Sequence, residues 1–356
     1  MTSGTGTSSP PPFDDELADV LDTIRDRIPA TIRPDMIEHV RTARAVSVET
    51  VLTDAALTHS EVSVDPGHGH PAVVLSILRR VDHGAGGPGV FYVHGGGLVA
   101  GNRFTGFDTV SDWVLELDAV AVSVEYRLAP ENPYPAAFDD CCAALLWTAR
   151  NAVELGFDPD RLLLCGSSAG GGLAAALALR ARDAGGPALV GQALLYPMLD
   201  DRNDTVSSRQ IDGIGVWDRS SNETGWDAYL GSRRGTPDVS PYAAPARADD
   251  LRDLPPTFLD VGSADVFRDE ITAFADRLWA AGGRAELHVW PGAFHGFDKL
   301  APDAELSRLA REARTSWVRR TLQPTARVAA GPEPTTGGTP QRPTWVRGPE
   351  GTPQLG

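Results

Sequence analysis

One serine of the sequence, flanked by glycines, lies in a sequence pattern that is typical of reactive residues. Residues 166–170 read Gly-Ser-Ser-Ala-Gly, which matches the pattern G-x-S-x-G with Ser168 at its centre. The apolar run before it, Leu162–Cys165, is typical of a strand, and the Ala- and Leu-rich stretch that begins at Ala169 is typical of a helix. Ser168 is therefore predicted to lie on a strand-to-helix turn, where free N–H groups of the helix face any negative charge that develops beside it.

A Gly-rich tight turn or a phosphate-binding loop is the alternative use of this segment. A dinucleotide loop needs G-x-G-x-x-G between strand and helix, and that spacing does not occur here. A P-loop needs a lysine directly before a Ser or Thr, whereas the one lysine of the chain, Lys299, is distant in sequence. We therefore favour Ser168 as a nucleophile, pending residues that would assist it.

Three consecutive glycines follow another predicted strand. His94-Gly-Gly-Gly97 ends the apolar run Gly89–Val93, and glycines leave backbone N–H groups exposed with no side chain in the way. Two such donors, with the N–H of Ala169 after the serine, could hold the oxyanion of a tetrahedral intermediate. We expect His94 to hold this loop by a hydrogen bond rather than to act as a base.

A serine hydroxyl is a poor nucleophile at neutral pH, so it needs a neighbouring base, usually histidine. The segment resembles the nucleophile turn of α/β-hydrolases, which implies that an Asp or Glu and then a histidine follow the serine along the chain. Only His288 and His295 follow Ser168. His288 lies inside the predicted strand Ala285–Val289, whereas His295 lies in the loop beyond it, at the edge of the sheet where ligands bind. His295 is the predicted base.

The acid should follow the preceding predicted strand, Thr257–Val261. Asp265 lies in a short loop that follows the carboxyl end of that strand. Asp260 lies within the strand, and Asp269 begins the next helix, where an acid suits the helix dipole. We predict Asp265, with Asp269 as the next candidate.

Strands and helices must alternate to position these residues. Runs with strand character are Ala72–Leu78, Gly89–Val93, Ala119–Val124, Leu162–Cys165, Gly191–Tyr196, Thr257–Val261 and Ala285–Val289. Stretches with helical periodicity lie between and after them, at Phe107–Leu117, Ala136–Leu155, Ala169–Ala184, Asp269–Ala281 and Pro302–Leu322. This alternation predicts right-handed βαβ units and a mostly parallel sheet with helices on both faces. Two earlier runs, Val46–Thr53 and His59–Val64, are followed by no helix and are predicted as an antiparallel lead-in.

Two segments fall outside this alternation. Phe13–Arg44 is predicted to form one or two amphipathic helices before the sheet. Met198–Asp250 is long, polar and rich in turns, as a lid or binding loop would be. We expect the two segments to pack together over the carboxyl ends of the strands. Three aromatic residues of the second segment are candidate substrate contacts, with cap core as their alternative role: Trp217, Trp226 and Tyr229.

The chain then divides into parts along its length. These are a flexible tail over 1–12, a cap segment over 13–45, the first part of the core over 46–197, a cap or lid insertion over 198–250, the second part of the core over 251–322, and a disordered tail over 323–356. The last part is rich in Pro, Gly and Thr, and repeated proline removes backbone donors, so no regular element is expected there.

Several motifs together resemble one family over about residues 55 to 320. They are His94-Gly-Gly-Gly97, Glu125-Tyr-Arg-Leu-Ala-Pro-Glu131, Gly166-Ser-Ser-Ala-Gly-Gly171, Asp265 with Arg268-Asp-Glu270, and His295-Gly-Phe297. In this order, they resemble the hormone-sensitive-lipase-like family of α/β-hydrolases, the bacterial family IV esterases. The resemblance implies an α/β-hydrolase fold, with a mostly parallel eight-stranded sheet and a helical cap.

The resemblance also implies roles for particular residues. It implies a catalytic triad of Ser168, Asp265 and His295, with Gly95, Gly96 and Ala169 as oxyanion donors. It implies a serine carboxylesterase, and we expect short- to medium-chain esters as substrates. An amidase, lactonase or small-metabolite deacetylase could use the same triad, and a non-catalytic ligand receptor is a further alternative on this fold.

One residue departs from the family pattern. The family usually has Asp where this chain has Ser167, which removes a carboxylate beside the predicted nucleophile. We expect a changed local hydrogen-bond network rather than lost catalysis.

Composition limits the partners. The 356 residues carry 48 acidic and 32 basic side chains, a formal net charge of −16, and a strongly acidic protein repels nucleic acid and anionic membranes. We expect a small-molecule ester as the partner, with no nucleic acid, no membrane, no metal and no cofactor, and the sequence leaves open whether the chain forms a homodimer. No signal peptide is evident and the three cysteines suggest no disulfide framework, so a cytoplasmic location is predicted.

Overall fold

The computed structural model describes residues 9–52, 54–67 and 69–322, and the backbone of two short strands beyond them. The strands are β1 (Leu57–Val64), β2 (Val73–Arg80), β3 (Gly87–Val93), β4 (Val120–Glu125), β5 (Phe157–Ser167), β6 (Gly191–Leu195), β7 (Thr257–Gly262), β8 (Ala285–Trp290), β9 (Trp345–Arg347) and β10 (Pro353–Leu355). The helices are α1 (Asp15–Ile24), α2 (Ile37–Ala43), α3 (Val48–Val51), α4 (Asp108–Leu117), α5 (Ala136–Arg150), α6 (Ala152–Leu155), α7 (Ala169–Asp183), α8 (Val206–Gln210), α9 (Arg219–Leu230), α10 (Arg268–Ala280), α11 (Phe297–Leu300) and α12 (Glu305–Thr321).

The first eight strands form one sheet in the order β1-β2-β4-β3-β5-β6-β7-β8. Both pairings of β2 are antiparallel, and all other pairings in this sheet are parallel. The predicted fold class, a mostly parallel eight-stranded sheet with helices on both faces, is confirmed. Parallel order brings the carboxyl ends of β3, β5, β6, β7 and β8 to one edge of the sheet, so the loops that follow these strands lie side by side.

The two faces of the sheet are buried in separate apolar cores. Leu163 and Leu164 are neighbours on β5, yet they belong to different cores because successive side chains of a strand point to opposite faces. Helices α5, α7 and α10 cover the face of Leu164, while α4 and α12 cover the face of Leu163. Burial on both faces explains why the central strands are continuous apolar runs in the sequence.

The N-terminal segment and the insertion between β6 and β7 contact each other. The Thr31 hydroxyl donates to the Asp218 carboxylate over 2.5 Å, and the Ile32 N–H donates to the Ser221 hydroxyl over 2.8 Å. Leu21 of α1 packs in one cluster with Val216, Phe294 and Phe297. The two segments together therefore cover the loop that carries His295. Among the described helices, none combines the length and apolar character that crossing a bilayer requires.

The lead-in to the sheet differs from its prediction. His59–Val64 does lie in a strand, β1, antiparallel to β2, but the predicted strand Val46–Thr53 is wrong: Val48–Val51 is one turn of helix, and Thr53 lies outside the described residues. A helical turn places Val48 and Val51 on the same face, where both join the core beside α4. An extended strand would have pointed them to opposite sides.

The predicted tails are only partly described. Residues 1–8, 323–344, 348–352 and 356 lie outside the described residues. Within the C-terminal tail, β9 pairs antiparallel with β10, which differs from the expectation of no regular element there. The sequence Trp-Val-Arg of β9 favours a strand and lies between Pro343 and Pro349, and Pro353 is the first residue of β10, a strand position that proline tolerates.

Candidate active site

Ser168 lies on a sharp turn between β5 and α7. Its backbone has φ 55° and ψ −122°, a conformation that a residue with a side chain adopts only when its surroundings fix it. The Ser168 N–H donates to the Leu195 carbonyl over 2.8 Å, and the Ser168 carbonyl accepts from Met198 N–H over 3.0 Å. A Cβ on Gly170 would lie 2.1 Å from the Val93 carbonyl oxygen. The turn therefore requires a glycine two residues after the serine.

His295 connects Ser168 to Asp265. Its Nε2 lies 2.9 Å from the Ser168 Oγ, and its Nδ1 lies 2.9 Å from the Asp265 Oδ2. Because a buried carboxylate accepts here, Nδ1 carries the proton and Nε2 is free to accept the serine proton. The other Asp265 oxygen accepts from the Phe267 N–H over 2.9 Å, which fixes the carboxylate. The rings of Tyr196 and Phe267 stand edge-on to the imidazole, with centroids 5.0 and 5.1 Å away.

The three residues come from three strands of the parallel part of the sheet. Ser168 follows β5, Asp265 follows β7 and His295 follows β8, so sheet order alone brings them to one edge. Tyr196 follows β6, which lies between β5 and β7, and has φ 37°. The sequence analysis missed Tyr196 and Phe267. Tyr196 ends the predicted strand Gly191–Tyr196, and that position at the carboxyl edge was the available signal.

The glycine-rich loop after β3 lies against the serine turn. A Cβ on Gly95 would lie 3.0 Å from the Ser167 carbonyl oxygen and 3.2 Å from the Ser168 Cβ. Gly96 and Gly97 have φ of 124° and 62°, which favour glycine. The backbone of the loop therefore lies directly beside the hydroxyl that His295 holds.

The buried side chain of His94 holds this loop in place. Its fully buried Nδ1 donates to the Gly95 carbonyl over 2.8 Å, and its ring stacks on Tyr126 at 4.0 Å. The Tyr126 hydroxyl donates to the His94 carbonyl over 2.9 Å. Burial lowers the pKa of His94 to about 4, so the ring is neutral at pH 7. This geometry matches the expected hydrogen-bonding role.

Comparison with known proteins identifies the family. A family model described as alpha/beta hydrolase fold matches residues 90–299, more than half of the chain. The chain belongs to the hormone-sensitive-lipase-like family of α/β-hydrolases. Carboxylesterase NlhH of Mycobacterium tuberculosis is 40% identical over 220 residues, which are 60% of this chain and 67% of the relative.

Solved structures agree with this assignment. A bacterial heroin esterase superposes with a TM-score of 0.80 at 36% identity, covering 87% of this chain and 98% of the esterase. Esterase LipW from Mycobacterium marinum superposes with a TM-score of 0.75 at 33% identity, covering 89% of this chain and 99% of the esterase. These relatives confirm the predicted enzyme class, that of the carboxylic ester hydrolases.

The rejected candidates have other partners in this hydrolase. His288 lies on β8, with Nε2 3.0 Å from Glu286 and its ring stacked on Trp290. Asp260 pairs with Arg314, and Asp269 accepts from the Ser207 N–H over 2.7 Å. The structure brings none of these three side chains to Ser168.

Ser167, which replaces the usual Asp of the family, takes part in a chain of hydroxyls. Its Oγ lies 3.0 Å from the hydroxyl of Tyr92, which donates to the Thr105 carbonyl over 3.2 Å. Burial raises the pKa of Tyr92 well above its usual value, so the phenol stays neutral, and either hydroxyl can donate in its bond with Ser167. The site that the family fills with a carboxylate is thus occupied by uncharged groups in this hydrolase.

The three aromatic residues predicted to contact substrate differ in position. Trp226 and Tyr229, both on α9 and both 1% exposed, pack in the main apolar core. Trp217 is 5% exposed and lies against Gly97 of the glycine-rich loop, since a Cβ on that glycine would lie 2.1 Å from the indole. Of the three, Trp217 is thus the residue that the structure places on the loop beside Ser168.

Proposed function

We propose that this hydrolase is a serine carboxylesterase that acts through an acyl-enzyme on Ser168. The observation that carries the proposal is the unbroken chain from the Ser168 Oγ through His295 to Asp265, with 2.9 Å at each step. Such a chain lets the imidazole take the serine proton while the carboxylate stabilises the cation that forms. Because a relative at 40% identity is named a carboxylesterase, we favour esters over amides and lactones as the substrates of this hydrolase.

The reaction proceeds in two halves. Ser168 Oγ attacks the ester carbonyl carbon as its proton moves to His295 Nε2, and the imidazolium then protonates the leaving alcohol. Water next attacks the acyl-enzyme, its proton moves to His295, and the acid departs as that proton returns to Ser168. In both halves the N–H groups of Gly95, Gly96 and Ala169 would stabilise the oxyanion.

Short- to medium-chain esters are the proposed substrates. A small cavity lies in the cap near the loop of His295, although neither Ser168 nor His295 lines it. This cavity of about 330 Å³ lies between α1 and the loop over 213–215, near the lower end of ligand-pocket sizes, which run from about 300 to 1,000 Å³. Its apolar lining includes Phe13, Leu21, Ile24, Ile28 and Ile214. The ring of Phe13 stands edge-on to Phe294 at 6.3 Å, directly before His295 in the chain.

The nucleophile is tested with a pair of neighbouring serines. Ser168→Ala should lower kcat on p-nitrophenyl butyrate by at least about 10³-fold and abolish labelling by a fluorophosphonate. The matched control, Ser167→Ala, removes a hydroxyl that faces Tyr92 instead of His295 and should keep labelling. Turnover or labelling retained by Ser168→Ala would overturn the proposal.

The acyl preference is tested with a chain-length series. The ratio kcat/KM on p-nitrophenyl esters from acetate to palmitate should be highest for short and medium chains and fall sharply for palmitate. A maximum at palmitate would contradict this preference. A parallel panel of amides, lactones and acetylated sugars should be turned over more slowly than the esters.

A further inference from the structure

The loop that would supply the oxyanion donors is strained. Gly96, Gly97 and Leu98 follow one another with φ of 124°, 62° and 67°. Glycine adopts such angles at no steric cost, but the left-handed region is costly for Leu98, and a residue in this state persists only when its surroundings fix it. Whatever holds these three residues therefore also sets the direction of the N–H groups of Gly95 and Gly96.

The core fixes the first half of the loop. The carbonyls of His94 and Gly95 accept from Tyr126 and from the His94 ring, as described above. The Gly96 carbonyl accepts from the N–H groups of Val99 and Ala100 over 3.2 and 3.0 Å. These bonds hold residues 94–96 against the sheet.

The cap covers the second half of the loop, at Gly97. The indole of Trp217 lies so close that a Cβ on Gly97 would be 2.1 Å from its Cη2. On the carbonyl side, a Cβ on Gly225 of α9 would lie 2.7 Å from the Gly97 oxygen. Gly97 is thus enclosed between the Trp217 ring and the backbone of α9.

Trp217 is itself held firmly. The next residue, Asp218, is fully buried and caps α9 by accepting from the Ser221 N–H over 2.7 Å. Its carboxylate also accepts from the Thr31 hydroxyl and from the Gly213 N–H over 2.9 Å. The backbone beside Trp217 is therefore anchored to both segments of the cap, whereas the buried indole Nε1 has no hydrogen-bond partner among the described residues.

We propose that Trp217 and Gly225 form a clamp that positions the oxyanion donors. The clamp prevents Gly97 from relaxing, and so keeps the N–H groups of Gly95 and Gly96 directed at the carbonyl that Ser168 attacks. The cap then acts in the chemical step, beyond covering the substrate. This inference rests on the function proposed for Ser168. Because the oxyanion is absent from the bound ester and develops as the tetrahedral intermediate forms, loss of the clamp should lower kcat with little change in KM.

Gly225→Ala tests the clamp from the side of α9. Alanine favours a helix interior over glycine, so α9 itself should not lose stability. The added Cβ must displace the Gly97 carbonyl, and kcat on p-nitrophenyl butyrate should fall by about 10-fold or more, toward the 10²–10³-fold cost of losing one donor. Ser220→Ala, also on α9, is the matched control and should keep kcat within about twofold. Unchanged kcat in Gly225→Ala would overturn the inference.

Trp217 variants test the other side of the clamp. Trp217→Ala should lower kcat by about 10²-fold, and Trp217→Phe should recover part of that loss. The affinity of a trifluoromethyl ketone, whose adduct with Ser168 carries an oxyanion, should weaken in parallel with kcat. Trp113→Phe, which changes an equally buried indole on α4, should leave both quantities unchanged.

The outcomes separate the clamp from the catalytic proposal. A higher KM with unchanged kcat in Trp217→Ala would make the indole a substrate wall and overturn the clamp. If Trp113→Phe lowered kcat as much as Trp217→Ala does, the loss would come from general packing of the protein, and the clamp would again be overturned. Either result leaves Ser168 as the nucleophile, which fails only if Ser168→Ala still turns over.

Discussion

The imidazole of His94 has two nitrogens in different surroundings. Nδ1 donates to the Gly95 carbonyl, whereas Nε2 is buried and has no hydrogen-bond partner among the described residues. Protonation would therefore place a charge in an apolar site without a new acceptor for it, which is why burial lowers the pKa to about 4. The loop that would supply the oxyanion donors is thus held by the His94 imidazole, which must stay neutral.

His94 should make the fold sensitive to acid. The unfolded chain binds a proton at His94 near pH 6.5, while the folded chain does so only near pH 4. Over that range the unfolded state holds more protons, so the free energy of unfolding falls as the pH falls, by up to about 3 kcal/mol from this residue. Urea denaturation between pH 7 and pH 4 measures it. His94→Asn, compared with the unaltered chain, should be less stable at pH 7 but lose less on acidification.

The contributions of other titrating groups to the pH dependence of stability cancel when His94→Asn is compared with the unaltered chain. Glu270 is buried, accepts from the N–H groups of Leu199 and Asp200, and has a pKa raised well above its usual value by burial and by the charge of Asp200. A raised carboxylate pKa has the opposite sign, since it costs stability as the pH rises, and it acts equally in both proteins. Equal slopes in the two proteins would contradict the role of His94.

Single residues of the site were predictable where chain order and turn chemistry specify them. Ser168 was placed on its turn by the apolar run before it and the helical stretch after it, and Asp265 and His295 were chosen because each lies beyond a strand rather than in it. The contact between Trp217 and Gly97 was not predictable, because it joins residues 120 positions apart through the cap. No local pattern records such packing.

At the scale of elements, Arg314 of α12 joins two parts that carry the site. It is 1% exposed, and its guanidinium bonds to Asp260 of β7 over 2.7 Å and to Asp298 of α11. Burial alone would raise the pKa of Asp298, but the charges of Arg314 and Lys299 and the hydrogen bonds from Arg314 and Tyr196 together lower that pKa. Since β7 leads to Asp265 and α11 follows His295, this cluster ties the acid and the base to one helix.

Removing Arg314 should therefore destabilise the protein strongly. Arg314→Met leaves two buried carboxylates without a counter-charge, and breaking such a pair costs about 3–5 kcal/mol. Urea denaturation at pH 7 measures the loss. The variant that also carries Asp260→Asn and Asp298→Asn removes the unpaired charges and should regain most of the stability. A small loss in the single variant, or no recovery in the triple one, would contradict this account.

Elements with strong periodicity were predicted well, and short elements were not. The strands from β2 to β8 and the long helices between and after them follow the predicted runs, and burial on both faces makes the central strands uniformly apolar. The helix α9 was not predicted, because it lies in the polar, turn-rich insertion. Val46–Thr53 was wrong because a few apolar residues suit a strand or a helical turn equally, and packing against α4 decided between them. The predicted helix Ala136–Leu155 is divided at Asn151 into α5 and α6.

At the scale of the whole molecule, the charge of −16 sets a field around the site. A negative field lowers the local concentration of anionic substrates and of the carboxylate product, while neutral esters are unaffected. This repulsion of anions arises from the net charge of the protein, so it extends over a Debye length, which is about 30 Å at 0.01 M salt and about 8 Å at 0.15 M. Salt is therefore the variable that separates it from local contacts.

The field should appear as a salt dependence confined to charged substrates. Raising NaCl from 10 to 300 mM should increase kcat/KM for an anionic ester such as p-nitrophenyl hemisuccinate severalfold, because screening removes the repulsion. The same change should alter kcat/KM for neutral p-nitrophenyl butyrate by less than about 1.5-fold, which controls for general effects of salt. Butyrate ion should likewise inhibit more strongly at high salt than at low salt. An anionic ester that loses rate as salt rises would instead show that a local cationic group outweighs the net charge.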